Sequence, residues 1–303
     1  MTITRVLFPT DLSETSAHAA QLAVVVAGYY KAGITALHVV SPILMAVPGL
    51  ATSIRGESIE KSGMDRLRND VTGQFSGASL DKGRLEVLID VGQPASRILE
   101  RAASLPADLI VMGTHGTSGF EHLVLGSETE KVLRKARCPV LTVPPRAQAT
   151  SRLPFRRVLC AMDFSDSSLA GLRFAVSVAQ ESDATLTLLH VLEWPWEEPP
   201  PPMIEELPFE QGFALSEFRR YSEESAKKRL ESLVPDSIPA SRIVTRLRNG
   251  KPYVQILHVA AEEHTDLIVI GVHGRNPLDL ALFGSTTNQV VRRATCPVLT
   301  LRQ

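Results

Sequence analysis

Cysteine is scarce: Cys138, Cys160 and Cys296 are the only three in 303 residues. They are too few and too scattered for a disulfide framework or a zinc site. Aromatic residues make up only 5%, and charge is balanced to a formal net −1. That balance removes the electrostatic case for nucleic acid or an anionic membrane surface as a partner. No apolar run approaches the length of a membrane span. The N-terminus, Met1-Thr-Ile-Thr-Arg-Val-Leu-Phe-Pro9, passes straight into a strand-like segment without the pattern of a signal peptide. The expected compartment is therefore the reducing cytoplasm. With 44% hydrophobic and 21% charged residues, the chain has the profile of a soluble globular protein long enough for two domains, each with its own core.

One stretch is written twice. The first copy is Asp108-Leu-Ile-Val-Met-Gly113-Thr-His-Gly116, nine residues, then Gly126-Ser127. The second is Asp266-Leu-Ile-Val-Ile-Gly271-Val-His-Gly274, nine residues, then Gly284-Ser285. Each is an apolar run of strand length, a glycine-broken turn and a hydroxyl residue opening a helical pattern, which together suit an anion. The repeat extends further. Asp11 matches Asp163 and His38 matches His190 at an offset of 152, whereas Gly92 matches Gly250 and Cys138 matches Cys296 at 158. Six residues are therefore inserted between His190 and Gly250, an interval holding the Trp-Pro-Trp-Glu-Glu-Pro-Pro-Pro-Pro stretch 194–202. A period of a whole domain means tandem duplication rather than a solenoid.

Near-continuous Val/Ile/Leu strands alternate with helical segments. In the first half strands are expected at 5–11, 34–40, 84–90, 108–112 and 138–143, and helices at 17–30, 57–75, 94–104 and 127–136. The pattern predicts an α/β protein of two tandem doubly wound domains. Each would hold a five-stranded parallel sheet in the order 3-2-1-4-5, with helices on both faces. The boundaries read 1–145 and 155–303, with 146–154 as linker. In such a sheet the ends of the first and fourth strands meet at the switch point, bringing Asp11 to Gly113 and Asp163 to Gly271.

Two readings stand for Asp11 and Asp163: a carboxylate on a sugar hydroxyl or adenine amine, or a turn aspartate. His38 and His190 lie in apolar strands and read as core residues. His115 and His273 sit between paired glycines, without the carboxylate or cysteine spacing of a metal site. The glycine pattern is neither a P-loop nor a dinucleotide fingerprint. The cysteines read as packing residues, and Trp194 and Trp196 as part of an exposed loop.

These residues resemble the universal stress protein family in its tandem, ATP-binding form. Gly113-Thr-His-Gly116-x9-Gly126-Ser127 and its second copy match the family's ATP signature, and Phe8-Pro-Thr-Asp-Leu-Ser-Glu-Thr15 and Leu37-His-Val-Val40 are similar to its first two strands. The resemblance implies ATP, with Mg2+, as the bound cofactor. It implies Pro9, Thr10, Asp11, Val39 and Met112 around adenine and ribose, and Gly113, His115, Gly116, Gly126, Ser127, Glu128 and Thr129 around the phosphates. In the second half it implies Ala161, Met162, Asp163, Val191 and Ile270, then Gly271, His273, Gly274, Arg275, Gly284, Ser285, Thr286 and Thr287. Glu128 departs from the pattern, because a carboxylate beside polyphosphate opposes it unless it points away or meets a metal. Cys160-Ala-Met-Asp163 departs from Pro-Thr-Asp at the adenine end.

The resemblance also implies that the last strands, 139–143 and 297–301, pair as an internal pseudo-dimer; homodimerisation and a protein partner are compatible with it. The expected function is nucleotide-dependent stress-response regulation, with at most slow ATP hydrolysis. The alternatives are an ATP-using hydrolase or nucleotidyl transferase, and a ligand-free interaction or chaperone-like module.

Overall fold

The computed structural model describes residues 2–41, 57–76, 83–114, 125–145, 147, 154–193, 209–272 and 284–302. In the first half the order is β1 (Arg5–Thr10), α1 (Glu14–Tyr30), β2 (Gly33–Val40), α2 (Glu57–Gly73), β3 (Leu85–Val91), α3 (Pro94–Ser104), β4 (Leu109–Gly113), α4 (Ser127–Lys135) and β5 (Val140–Val143). The second half repeats it as β6 (Arg157–Met162), α5 (Asp166–Ser182), β7 (Thr185–Leu192), α6 (Phe209–Glu231), β8 (Ile243–Asn249), α7 (Pro252–Glu262), β9 (Leu267–Gly271), α8 (Ser285–Arg293) and β10 (Val298–Leu301). The expected elements of the first half are all present, with ends shifted by a few residues. Among the described residues, no helix is long and apolar enough to cross a membrane.

Local chemistry explains the helix starts. Of the hydroxyl residues Ser13, Thr15 and Ser16, Ser13 caps α1, its Oγ accepting from the Ser16 N–H at 3.1 Å. Ser165 does the same for α5 through Ser168 at 3.2 Å. Each cap satisfies one of the four amides that a helix start leaves unpaired. The alanines of α1 have a packing reason: Ala19, Ala20, Ala23 and Ala27 are fully buried and let the helix lie close against the sheet.

All ten strands form one sheet in the order β3-β2-β1-β4-β5-β10-β9-β6-β7-β8. Each half has the expected 3-2-1-4-5 order. The halves join where β5 runs antiparallel to β10, pairing Thr142 with Val298, Leu141 with Leu299 and Val140 with Thr300. The Thr142 hydroxyl donates to the Val298 carbonyl at 3.1 Å, and the Thr300 hydroxyl to that of Val140 at 3.2 Å. Tyr29 on α1 adds a bond to the Glu181 carbonyl of α5 at 2.7 Å. Every other ladder is parallel, so the strands of the second half point opposite to those of the first. Apolar side chains from both halves fill each face: one layer includes Phe8, Leu141, Leu186 and Leu299, the other Leu7, Val140, Leu189 and Val298.

The six-residue surplus of the second half is not extra chain in the Trp-Pro stretch. Segments 42–56 and 194–208 have the same length, and both lie outside the described residues. The surplus falls in helix length, because α6 has 23 residues against 17 in α2. Strand registry is kept on both sides, since β2 and β7 match at 152 and β3 and β8 at 158.

Each half also ties its first and fourth strands with an aspartate. Asp108 accepts from the Thr4 N–H and hydroxyl at 2.7 Å and the Arg5 N–H at 3.0 Å. Asp266 accepts from the Arg156 and Arg157 N–H groups at 2.8 and 3.0 Å.

Candidate functional site

Both cavities form where β1 and β4, or β6 and β9, end side by side. In the first half the chain turns out of β1 through Asp11, whose Oδ1 accepts from the Ser13 N–H at 3.1 Å and its hydroxyl at 2.6 Å. Asp163 holds Ser165 in the same way, at 2.9 and 2.5 Å. The turn reading of both aspartates is thus realised at Oδ1. The residue between them, Leu12 or Phe164, has φ of 66° or 63°. A bulky side chain in that left-handed region costs about 1–2 kcal/mol. That both halves keep it means the turn geometry outweighs propensity, and no sequence signal marks it.

The glycines also have structural work. A Cβ at Gly271 would stand 2.6 Å from the Ser167 hydroxyl oxygen and 3.0 Å from the Ser168 nitrogen. A Cβ at Gly284 would stand 2.8 Å from the Val272 carbonyl oxygen. Both are closer than a methyl group tolerates, so these glycines let backbone meet backbone whether or not a ligand is bound. Their recurrence alone therefore does not establish a phosphate cradle.

The helix starts speak more directly. Gly126 and Gly284 are the N-caps of α4 and α8 and have no side chain to donate to. The first intrahelical bonds are made by the Glu130 and Asn288 N–H groups, to Gly126 and Gly284. The amides of residues 127–129 and 285–287 therefore have no intrahelical acceptor. The starts are pinned to the strand ends: the Thr129 hydroxyl donates to the Gly113 carbonyl at 3.1 Å, and that of Thr287 to Gly271 at 2.7 Å. Both helix N-termini open onto a cavity, with the dipole adding positive potential.

The first cavity has a volume of about 330 Å³, and the second about 410 Å³. Pro9, Thr10, Asp11, Val39, Met112, Gly113, Gly126, Ser127, Glu128 and Thr129 line the first. Ala161, Met162, Asp163, Val191, Ile270, Gly271, Gly284, Ser285, Thr286 and Thr287 line the second. His115, Gly116, His273, Gly274 and Arg275 lie outside the described residues. The lining also includes residues that sequence reasoning set aside. His38 and His190 face the cavities, their Nδ1 atoms 2.9 and 2.6 Å from the Thr10 and Met162 carbonyls. A carbonyl can only accept, so Nδ1 carries the hydrogen. Pro94 with Ile98, and Pro252 with Ile256, close the apolar wall. The signal for all of these was their recurrence at the repeat offsets.

Glu128 does not hang free at the phosphate end. Its Oε2 accepts from the Ala95 N–H at 2.7 Å, and its Oε1 meets Lys131 at 2.6 Å. Pro94 has no N–H to give, so Ala95 is the first donor of α3. Elsewhere, burial pushes the Cys160 and Cys296 thiols up to about 12 and Cys138 up to about 11, which keeps them unreactive. Among the described residues, no group of three or more His, Cys, Asp or Glu side chains is placed to hold a metal ion.

The family model of the universal stress proteins matches residues 2–144 and again 154–302. A universal stress protein of Mycolicibacterium smegmatis is 27% identical over 308 aligned residues, covering 98% of this chain and 96% of its own. One from Methanocaldococcus jannaschii is 34% identical over 142 residues, which is 46% of this chain and 81% of that one. Among solved structures, a universal stress protein from Archaeoglobus fulgidus superposes over 98% of both chains with a TM-score of 0.64 at 23% identity, a likeness of fold. With one family match in each half of a single ten-stranded sheet, this chain belongs to the universal stress protein family, in its tandem two-domain form.

Proposed function

We propose that the protein binds ATP in the paired cavities and acts as a cytoplasmic, nucleotide-dependent regulator, its loaded state read by a partner protein or by its own assembly. The observation that carries this is the uncapped helix N-terminus at the mouth of each cavity, opposite an apolar wall wide enough for a base. Phosphate oxygens would take the amides of residues 127–129 and 285–287. Val39, Met112 and Ile98, or Val191, Ile270 and Ile256, would pack the adenine. Asp11 and Asp163 also line the cavities, and a ribose hydroxyl would donate to the carboxylate.

The carboxylates lining each cavity are Asp11 and Glu128, or Asp163 and Glu193. That donor set suits Mg2+ entering on the phosphates rather than an all-protein cage. Metal would neutralise phosphate charge there. Any hydrolysis would be slow on this reading, with Oδ1 of each lining aspartate held in its own turn.

The test is extraction and melting. Purified protein, denatured and extracted, is expected to release adenine nucleotide, and added ATP with Mg2+ to raise the melting temperature. Saturation at about 100 times Kd stabilises by about 2.7 kcal/mol. Release of no nucleotide together with no thermal shift sinks the reading.

A further inference from the structure

We infer that the two cavities sort adenine compounds by phosphate charge: the second takes the polyphosphate, and the first favours the nucleoside or monophosphate. This rests on the nucleotide reading above and concerns what separates the two sites. Their phosphate ends are built alike in backbone and unlike in charge. The first turn of α4 carries Glu128 and Glu130, and that of α8 carries no acid, with Thr286 and Asn288 in their places. An acid in the first turn satisfies the helix dipole from within. In α4 that has already happened, whereas α8 leaves the same potential for an external anion.

Glu128 does more than occupy α4. It lines the first cavity, and through the Ala95 N–H it also consumes the first donor of α3, the second helix that starts there. Its partner Lys131 lies on the solvent side, its side chain 54% exposed against 34% for Glu128, so the carboxylate is the charge nearer the cavity. The second half replaces both members of the pair with neutral residues, Thr286 and Gln289. The other carboxylate lining the second cavity, Glu193, follows β7. Two strand spacings, about 10 Å, separate β7 from β9, which leads into α8. Glu193 thus sits toward the base end and Glu128 at the phosphate end. Like charge next to a polyphosphate opposes it in proportion to the ligand's charge and is weakened by salt.

Calorimetric titration of the full chain with adenosine, AMP and ATP, without divalent metal that would bridge carboxylate and phosphate, with the variants Glu128→Gln and Thr286→Glu, tests this. Glutamine keeps a carbonyl oxygen for the Ala95 N–H and removes the charge. Wild type is expected to show two unequal ATP sites. Glu128→Gln should strengthen the weaker one about tenfold at low salt, with a smaller gain for AMP, none for adenosine and a lesser effect at high salt. Thr286→Glu should weaken the stronger site in the same graded way, so either variant alone can carry the test. Two equal ATP sites, or a Glu128→Gln effect equal for ATP and adenosine, overturns the sorting while leaving nucleotide binding intact. Failure of all three compounds to bind overturns both.

Discussion

Set the two halves beside each other and the backbone is shared almost residue for residue, while the side chains that touch it have diverged. Both keep a left-handed residue after the strand-ending aspartate, but Leu12 in the first half is replaced by Phe164 in the second. Phe164 is buried, lies 4.4 Å from the His190 ring and carries the Arg229 guanidinium 4.4 Å above its face. The end of β1 in the first half instead carries a polar set: the Thr10 hydroxyl meets Ser16 and Gln74 at 2.6 Å, and the Gln74 amide donates back to Ser16. Duplication preserved the frame that makes a site and let its lining drift.

The sharpest break of that comparison is glycine at the strained position. Phe164→Gly relieves the left-handed strain but empties an aromatic pocket, with an expected net loss of about 2–4 kcal/mol. Leu12→Gly, at a half-buried residue, should be near neutral, within about 1 kcal/mol. Chemical denaturation of both variants checks it, and equal losses would mean the two turns are held alike. Next in size, Gly271→Ala forces a methyl against the Ser167 and Ser168 backbone, at an expected cost of about 1–3 kcal/mol even without nucleotide. A variant with unchanged melting but lost ATP binding would return the glycine to a purely ligand-facing role.

A smaller contrast lies in pH. At Asp108 burial raises the carboxyl, but the bonds from Thr4 and Arg5 outweigh it and hold it below the usual carboxylate value. At Asp266 burial dominates and holds the carboxyl above that value, despite the Arg156 and Arg157 amides. The signs are opposite. Asp108 contributes stability above its unfolded pKa, near 4, and loses it as pH falls through the lower folded value. Asp266 contributes below its unfolded pKa and loses that contribution as pH rises through the higher folded value. Asp108→Asn should therefore cost more at pH 7 than near pH 3. Asp266→Asn should cost less at pH 7 than at pH 3. Melting temperatures across that range check the crossing, and parallel curves would refute it. Smallest of all, Thr142→Val and Thr300→Val each remove one buried bond across the halves, and each should lower stability by about 1 kcal/mol, measurable by denaturation.

Most of the fold was legible because it rests on local, repeated signals. Apolar runs set between an aspartate and a glycine marked β4 and β9. The repeat offsets placed Asp11 and Asp163 at the switch points. What escaped notice depends on contacts distant in sequence or against propensity. Glu128 binds an amide 33 residues away, which no spacing rule anticipates. Leu12 and Phe164 adopt a backbone that their residue types disfavour. The six-residue surplus vanished into α6 because lengthening a helix leaves no breaker behind. His38 and His190 are satisfied strand residues as expected, each Nδ1 bonded to a backbone carbonyl, but strand position did not reveal that they also line a cavity.

The antiparallel joint between β5 and β10 has one more consequence. Since each cavity lies past the carboxyl ends of its own strands, and the two sets of strands run in opposite directions, the mouths open at opposite ends of the sheet. On the reading proposed above, a single partner docked at one loaded mouth would leave the other free, making the chain bivalent by construction. Between the two cavities run four hydrogen-bonded strands, and the halves touch there through three residue pairs of β5 and β10, with the Tyr29–Glu181 bond beside them.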